Sequence, residues 1–239
     1  MTLGIANLYF LFAFAIFSLG VIIFKSNIQD FKSDEQSHYV EQIKALFKRK
    51  HFVFGACTLF VYVGVEVAIG TVTISYLTDK NIAALEPAMA MTLISLYWAG
   101  SMFGRFTYSA LSHYCEPSKA LGASACIASL LIIFAILNSN IYGGAALILI
   151  GFCNSFMYPL IFSKSIEGLG SLTSSGSAVL IMCGIGGGIV PFIQAVMVDL
   201  SDIRMSYIVP LCGYLLILGY SVYSKKNADK KIHNREVLG

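Results

Sequence analysis

The stretch FVFGACTLFVYVGVEVAIGTVTISYL, residues 52–77, decides the class of this protein. Between His51 and Asp79 it carries one charged residue, Glu66, in a run otherwise apolar or hydroxylic. A helix needs about 20 such residues to cross a bilayer, and this run exceeds that. A charged side chain near mid-membrane costs ~2.5–3.5 kcal/mol on insertion scales, so it is usually turned inward, paired or protonated. Tyr62 lies four residues before Glu66, and Ile69, Gly70 and Thr73 continue the same helical face. A phenol, a carboxyl and a hydroxyl beside small residues suit a water-filled, hydrogen-bonding cavity. The alternative is a structural carboxyl locked to a neighbouring helix.

Composition agrees with a membrane setting. Hydrophobic residues make up 57% and charged residues 12%, against about 25% charged in soluble domains; mean hydropathy is +0.75. The six cysteines, Cys57, Cys115, Cys126, Cys153, Cys183 and Cys212, show no metal-ligand or redox spacing and read as small packing residues. Gly184 to Gly188 superficially resembles a phosphate loop, but it sits in an uncharged run without a strand–turn–helix context. No nucleophile–base pair, metal set or cofactor motif stands out, so an enzyme is not expected.

Working outward, residues 3–24 form an apolar run with no preceding basic residue and no cleavage site, which reads as a retained membrane helix. Residues 25–51 are polar; within them Val40, Ile43, Leu46 and Phe47 recur at helical spacing, as in an amphipathic helix on an anionic membrane surface. Pro87 opens a third run that ends near Arg105, and a polar turn with His113, Glu116, Pro117 and Lys119 follows. Further runs cover 120–137, about 141–163, 168–198 and 205–223, with Asn138-Ser139-Asn140 as a tight hairpin. The expected fold is therefore all-α: a polytopic membrane protein with seven transmembrane helices.

Basic residues test that count. With seven spans, fourteen of the sixteen Lys and Arg fall on one side, in 25–51, 105–119, 164–175 and the tail, leaving Lys80 and Arg204 opposite. The positive-inside rule then sets the amino terminus outside and the carboxyl tail in the cytoplasm. Gly100 and Gly104 are four apart, as are Gly184 and Gly188, so close helix packing is expected at both pairs. The glycines before Pro191 would also make the sixth helix easy to bend, as for a gate, with simple tight packing the alternative.

YVGVEVAIG at 62–70, YWAGSMFGRF at 97–106, GFCNSFMYPLIFSKSIEGLG at 151–170 and GGGIVPFIQAVMVD at 186–199 resemble sugar permeases of the major facilitator superfamily. The branch they resemble is that of fucose permease and the glucose/galactose transporters. GRFTYSALSHYCEPSKA resembles the superfamily's cytoplasmic signature loop in degenerate form. The family has two six-helix halves joined by a cytoplasmic loop. The resemblance implies that residues 1–24 are the last helix of the amino-terminal half and 25–51 the inter-half loop. Residues 52–224 are then the carboxy-terminal six-helix half, and 225–239 a basic cytoplasmic tail. The chain thus looks like a truncated half-transporter lacking five helices; a separate chain supplying them is one partner this reading allows.

The family places its substrate near mid-membrane between the halves. On that template the helices bearing Glu66, Trp98, Asn154 and Gln194 face the cavity. The expected sugar-binding set is Tyr62, Glu66, Tyr97, Trp98, Asn154, Tyr158 and Gln194. Asn, Gln and Tyr read hydroxyls, while Trp98 or Tyr97 stacks on the apolar face of the ring. Asn154 and Tyr158 would share a face. Packing is the alternative for the aromatics, and bonding across helices for the amides. Arg105 is expected to anchor or gate. The implied function is transport of a hexose-like sugar with protons across the plasma (inner) membrane, with no cofactor or metal. An inert transporter fragment and a seven-helix receptor are the other readings; a retinal protein is excluded because residues 205–223 hold no lysine.

Overall fold

The structure, a computed structural model, describes residues 2–26 and 36–238, in two units, Met1–Tyr39 and Val40–Gly239. In the first unit, α1 (Thr2–Lys25) contains the expected apolar run. Lys32 and the rest of 27–35 lie outside the described residues.

The chain continues through α2 (Gln36–Phe47), α3 (Lys50–Thr78), α4 (Pro87–Leu111) and α5 (Pro117–Leu137). Then come α6 (Ile141–Asn154), α7 (Met157–Ile166), α8 (Thr173–Met182), α9 (Gly186–Leu200) and α10 (Ile208–Leu238). No strand occurs among the described residues. Among the described residues five stretches are long and apolar enough to cross a membrane: Lys50–Thr78, Pro117–Leu137, Ile141–Ile166, Gly170–Leu200 and Met205–Asn227. The 25 residues of α4 would reach across as well, at about 37 Å. Arg105 and several hydroxyl side chains make α4 less apolar. All the expected runs are therefore helical, and α10 carries its helix on through the tail to Leu238.

Local chemistry sets the ends. Pro87 and Pro117 occupy the first turns of α4 and α5, where a missing N–H costs nothing. Asn140 caps α6, its side chain accepting from the N–H groups of Tyr142 (2.9 Å) and Gly143 (3.2 Å). A 3-10 turn at Cys183–Ile185 separates α8 from α9 within the glycine-rich stretch before Pro191.

Helix α3 packs against α7, α9 and α10; α4 packs on α6, and α5 on α6 and α10. Buried Leu59, Val65, Leu121, Ile132, Leu147, Ile161 and Ile217 form the core between them. Small residues let the backbones meet. Gly100 lies against the Phe152 N–H, and a Cβ on Gly104 would overlap Ser155, as the spacing predicts. The second pair is a correction: Gly184 and Gly188 face open space, and Gly186 makes the close approach, against the Phe60 carbonyl of α3. Helix α2 also differs from expectation. Leu46 is fully buried in the bundle and Ser175 donates to Gln42, while Val40, Ile43 and Phe47 stay exposed. Of the cysteines, Cys153 is buried and Cys183 packs half-buried against the core, while Cys57, Cys115, Cys126 and Cys212 are exposed.

The loop after α9 is pinned by Asp202, which accepts from the Met205 N–H (2.8 Å) and from Arg204 (3.1 Å). Arg204 in turn donates to Ser139 in the neighbouring hairpin (3.1 Å). The Met205 N–H, and after it Arg204, hold the Asp202 carboxyl below the usual carboxylate range. A lowered folded-state pKa contributes stability above the unfolded value, and that stability is lost as the pH falls through the folded one. Asp202→Ala is therefore expected to cost under about 1 kcal/mol at neutral pH, because the pair is exposed. The difference from the parent should shrink in acid melts, below about pH 4.

Candidate functional site

Glu66 is half-buried on α3. Tyr62, one turn earlier, is fully buried, and its hydroxyl donates to the Asn154 carbonyl at 2.8 Å. Tyr97 on α4 donates to the backbone carbonyl of Glu66 at 3.0 Å. The Asn154 amide nitrogen donates to the Tyr97 hydroxyl at 2.9 Å, and Tyr214 on α10 donates to the amide oxygen at 2.6 Å. Asn154 is thus a hub that ties α6 to α3, α4 and α10, with its polar atoms engaged inside the bundle. The Glu66 carboxyl stays outside those bonds. It interacts with the Tyr62 hydroxyl and, at longer range, with Arg105.

The membrane span that contains Asn154 is broken after it. Pro159 has no N–H to give to the carbonyl four residues back, that of Ser155, so the helix ends at Asn154 and restarts at Met157. Arg105 supplies the missing donor, with its Nε 3.1 Å from the Ser155 carbonyl. Tyr108 stacks on Phe156 beside the break, with ring centroids 4.4 Å apart. Arg105 thus bonds to a proline-freed carbonyl. The break also means that Asn154 and Tyr158 stand on separate helices rather than one continuous face. Tyr158 is half-buried, its ring 6.3 Å from that of Tyr62.

Trp98 is the exposed aromatic of the set, at 49%, edge-on to Tyr97 with centroids 5.1 Å apart. Its indole lies over Gly70, one turn beyond Glu66, where a Cβ would come within 3.0 Å of Cζ2. Gln194 is placed apart from the hub. It is fully buried, its Nε2 donates to Ser206 at 3.3 Å, and its Oε1 has no partner. Sequence reasoning missed Tyr214 and Ser155. Nothing distinguishes Tyr214 from other membrane tyrosines, but the Ser155 carbonyl is implicated by Pro159 alone, by counting back four residues. Among the described residues no His, Cys, Asp or Glu group could hold a metal ion.

Known proteins resemble this chain over most of its length. A glucose/galactose transporter of Brucella abortus is 33% identical over 219 residues, 92% of this chain and 53% of that protein. A putative glucose/galactose transporter of Helicobacter pylori is 36% identical over 222 residues, 90% of this chain and 54% of that protein. The crystal structure of the Escherichia coli fucose:proton symporter superposes with a TM-score of 0.74 at 26% identity, covering 80% of this chain and 47% of that one. No family model matches. The chain spans about half the length of the curated relatives it matches. These relatives are transporters and not enzymes. By sequence the chain is similar to glucose/galactose transporters, and by fold to the fucose:proton symporter, a major facilitator superfamily transporter, in each case over about half of their length.

Proposed function

We propose that this chain supplies the carboxy-terminal half of a proton-coupled transporter for a hexose-like sugar. The observation that carries this reading is the half-buried Glu66, whose carboxyl makes none of the Asn154 hydrogen bonds, one turn from Gly70 under the half-exposed Trp98, in half of a sugar symporter's fold. Names borne by the relatives supply the substrate class and the proton. In this arrangement Trp98 stacks on the sugar ring and Glu66 binds hydroxyls or carries the coupled proton. Tyr62, Tyr97, Asn154 and Arg105 hold the two in place, and Tyr158 and Gln194 border them. Residues 1–24 form the last helix of the other half, 25–51 the joining loop, 52–224 this half and 225–239 the tail. A separate chain carrying the missing helices completes the cavity in the inner membrane.

Trp98 is the protein's one tryptophan, which makes it a direct reporter. The chain is to be co-reconstituted with the amino-terminal half of a glucose/galactose relative whose tryptophans have been replaced. Saturable change of Trp98 emission with glucose, galactose or fucose is the expected result; emission unmoved by all three would contradict the reading.

Topology follows from the same reading: the joining loop and the tail are cytoplasmic. Ser33→Cys and Asn227→Cys are expected to resist an impermeant maleimide in intact cells and to react after permeabilisation. Rapid labelling of either in intact cells would reverse the orientation.

A further inference from the structure

We infer that Cys57 of α3 and Cys183, the first residue of the 3-10 turn between α8 and α9, together form a two-thiol site for a soft divalent cation, Hg(II). The seam between α3 and α9 sets the pairing. A Cβ on Gly186 would overlap the Phe60 carbonyl, and one on Gly64 would overlap the Val190 side chain. Phe60 thus faces Gly186 and Gly64 faces Val190, one parallel register with the same offset in both pairs. Cys57, Phe60 and Gly64 follow one another along a single face of α3, at i, i+3 and i+7. Cys183, Gly186 and Val190 repeat that spacing opposite them. Side chains three apart eclipse in a 3-10 turn, so Cys183 stands in line with Gly186. The next facing pair back from Phe60 and Gly186 is therefore Cys57 and Cys183. The turn itself packs on α3, and the two thiols interact electrostatically.

Cys57 is exposed and Cys183 half-buried, so a cation reaches the pair from the Cys57 side. The Cys183 thiol donates to the Val179 carbonyl at 3.4 Å, a weak bond that a metal displaces. Chemistry selects the ligand. No third His, Cys, Asp or Glu donor gathers with the two thiols among the described residues, and two are too few for zinc, which takes four ligands. Thiolates favour soft ions, and Hg(II) is satisfied by two sulfurs in line. Each thiol gives its proton to water as its S–Hg bond forms, so two protons leave and nothing is oxidised or reduced. The product carries no net charge, which suits an apolar span; Cu(I) on the same thiolates would leave a negative charge there. Cys57 lies nine residues before Glu66, about 13 Å along α3. The site is thus separate from the surface under Trp98 and does not rest on sugar binding.

The test reads retained metal. Residues 1–239, one chain per lipid nanodisc, are loaded with one equivalent of mercuric chloride and washed with 2-mercaptoethanol. At about 0.1 mM this monothiol strips mercury from single cysteines but competes poorly with a held pair, whose effective concentration is on the order of millimolar. Mercury left on the protein is then counted by elemental mass spectrometry. The parent is expected to keep one ion per chain, and so is a variant with Cys115, Cys126, Cys153 and Cys212 all replaced by alanine. Cys57→Ser and Cys183→Ser are each expected to keep at least tenfold less. A parent that keeps none, or a single-serine variant that keeps as much as the parent, would overturn the inference. Should Cys183→Ser fail to fold, the exposed Cys57→Ser decides alone. Should the four-alanine variant fail to fold, the comparison of the parent with Cys57→Ser still decides.

Discussion

Glu66→Ala is expected to lower sugar uptake in a complex with the complementary half by about a hundredfold or more, an effect of about 2.7 kcal/mol, and to leave the amount of folded protein unchanged. The structure explains the second half of that expectation. What α4 holds at this position is the Glu66 backbone carbonyl, through Tyr97, and alanine keeps it. The Asn154 hub does not use the carboxyl either. A carboxyl locked into a buried pair would behave differently, since removing one partner typically costs about 3–5 kcal/mol and protein level would fall with activity. Glu66→Gln separates the two roles. Retained sugar exchange with lost accumulation assigns coupling; loss of both assigns binding. Quantitative uptake beside membrane-fraction blots reads all three outcomes.

The second large effect is structural, and its sign changes within three residues. Gly186→Ala places a methyl group on the Phe60 carbonyl of α3, a backbone atom that cannot swing aside. The helices must separate, at a cost of about 3 kcal/mol or more, the upper end of the overpacking range. Gly184→Ala and Gly188→Ala meet nothing within 4 Å. They are expected to be neutral or to stabilise by up to about 1 kcal/mol, because alanine restricts the unfolded chain. Thermal melts in detergent, read by loss of the monodisperse peak, distinguish the three variants.

Hydrophobic run length and the side-to-side sorting of lysine and arginine made the helical layout legible before any coordinates. So did Gly100 and Gly104, whose four-residue spacing lies within one uninterrupted α-helix. Gly184 and Gly188 do share a face, but it is the one turned away from α3, and spacing alone cannot say which face meets a neighbour. Gly186, about half a turn round from each, makes the close approach. Leu46 was legible as an apolar position, but its partner was not. A surface helix that dips into lipid and one that docks on a bundle show the same periodicity.

The site was half legible. Tyr62, Glu66, Tyr97 and Asn154 do come together, and Trp98 borders them, because one charged residue in an apolar run marks its own helix face. Gln194 looked equivalent in sequence, yet the structure joins it to Ser206. An intramembrane amide carries no sign of which neighbour it will find. Tyr214 went unnoticed for the same reason: its role exists only through Asn154, which is 60 residues away in the chain.

The most direct test of the central claim is uptake with the halves separated. Cells lacking endogenous hexose carriers express residues 1–239 alone, or with the amino-terminal half of a glucose/galactose relative. Labelled sugar is then followed with and without a protonophore. One half-cavity cannot rock against a partner it lacks, so no accumulation is expected from the chain alone, and protonophore-sensitive accumulation is expected from the pair. Concentrative uptake by the chain alone, or none from a pair that both reaches the membrane and co-purifies, would contradict the account.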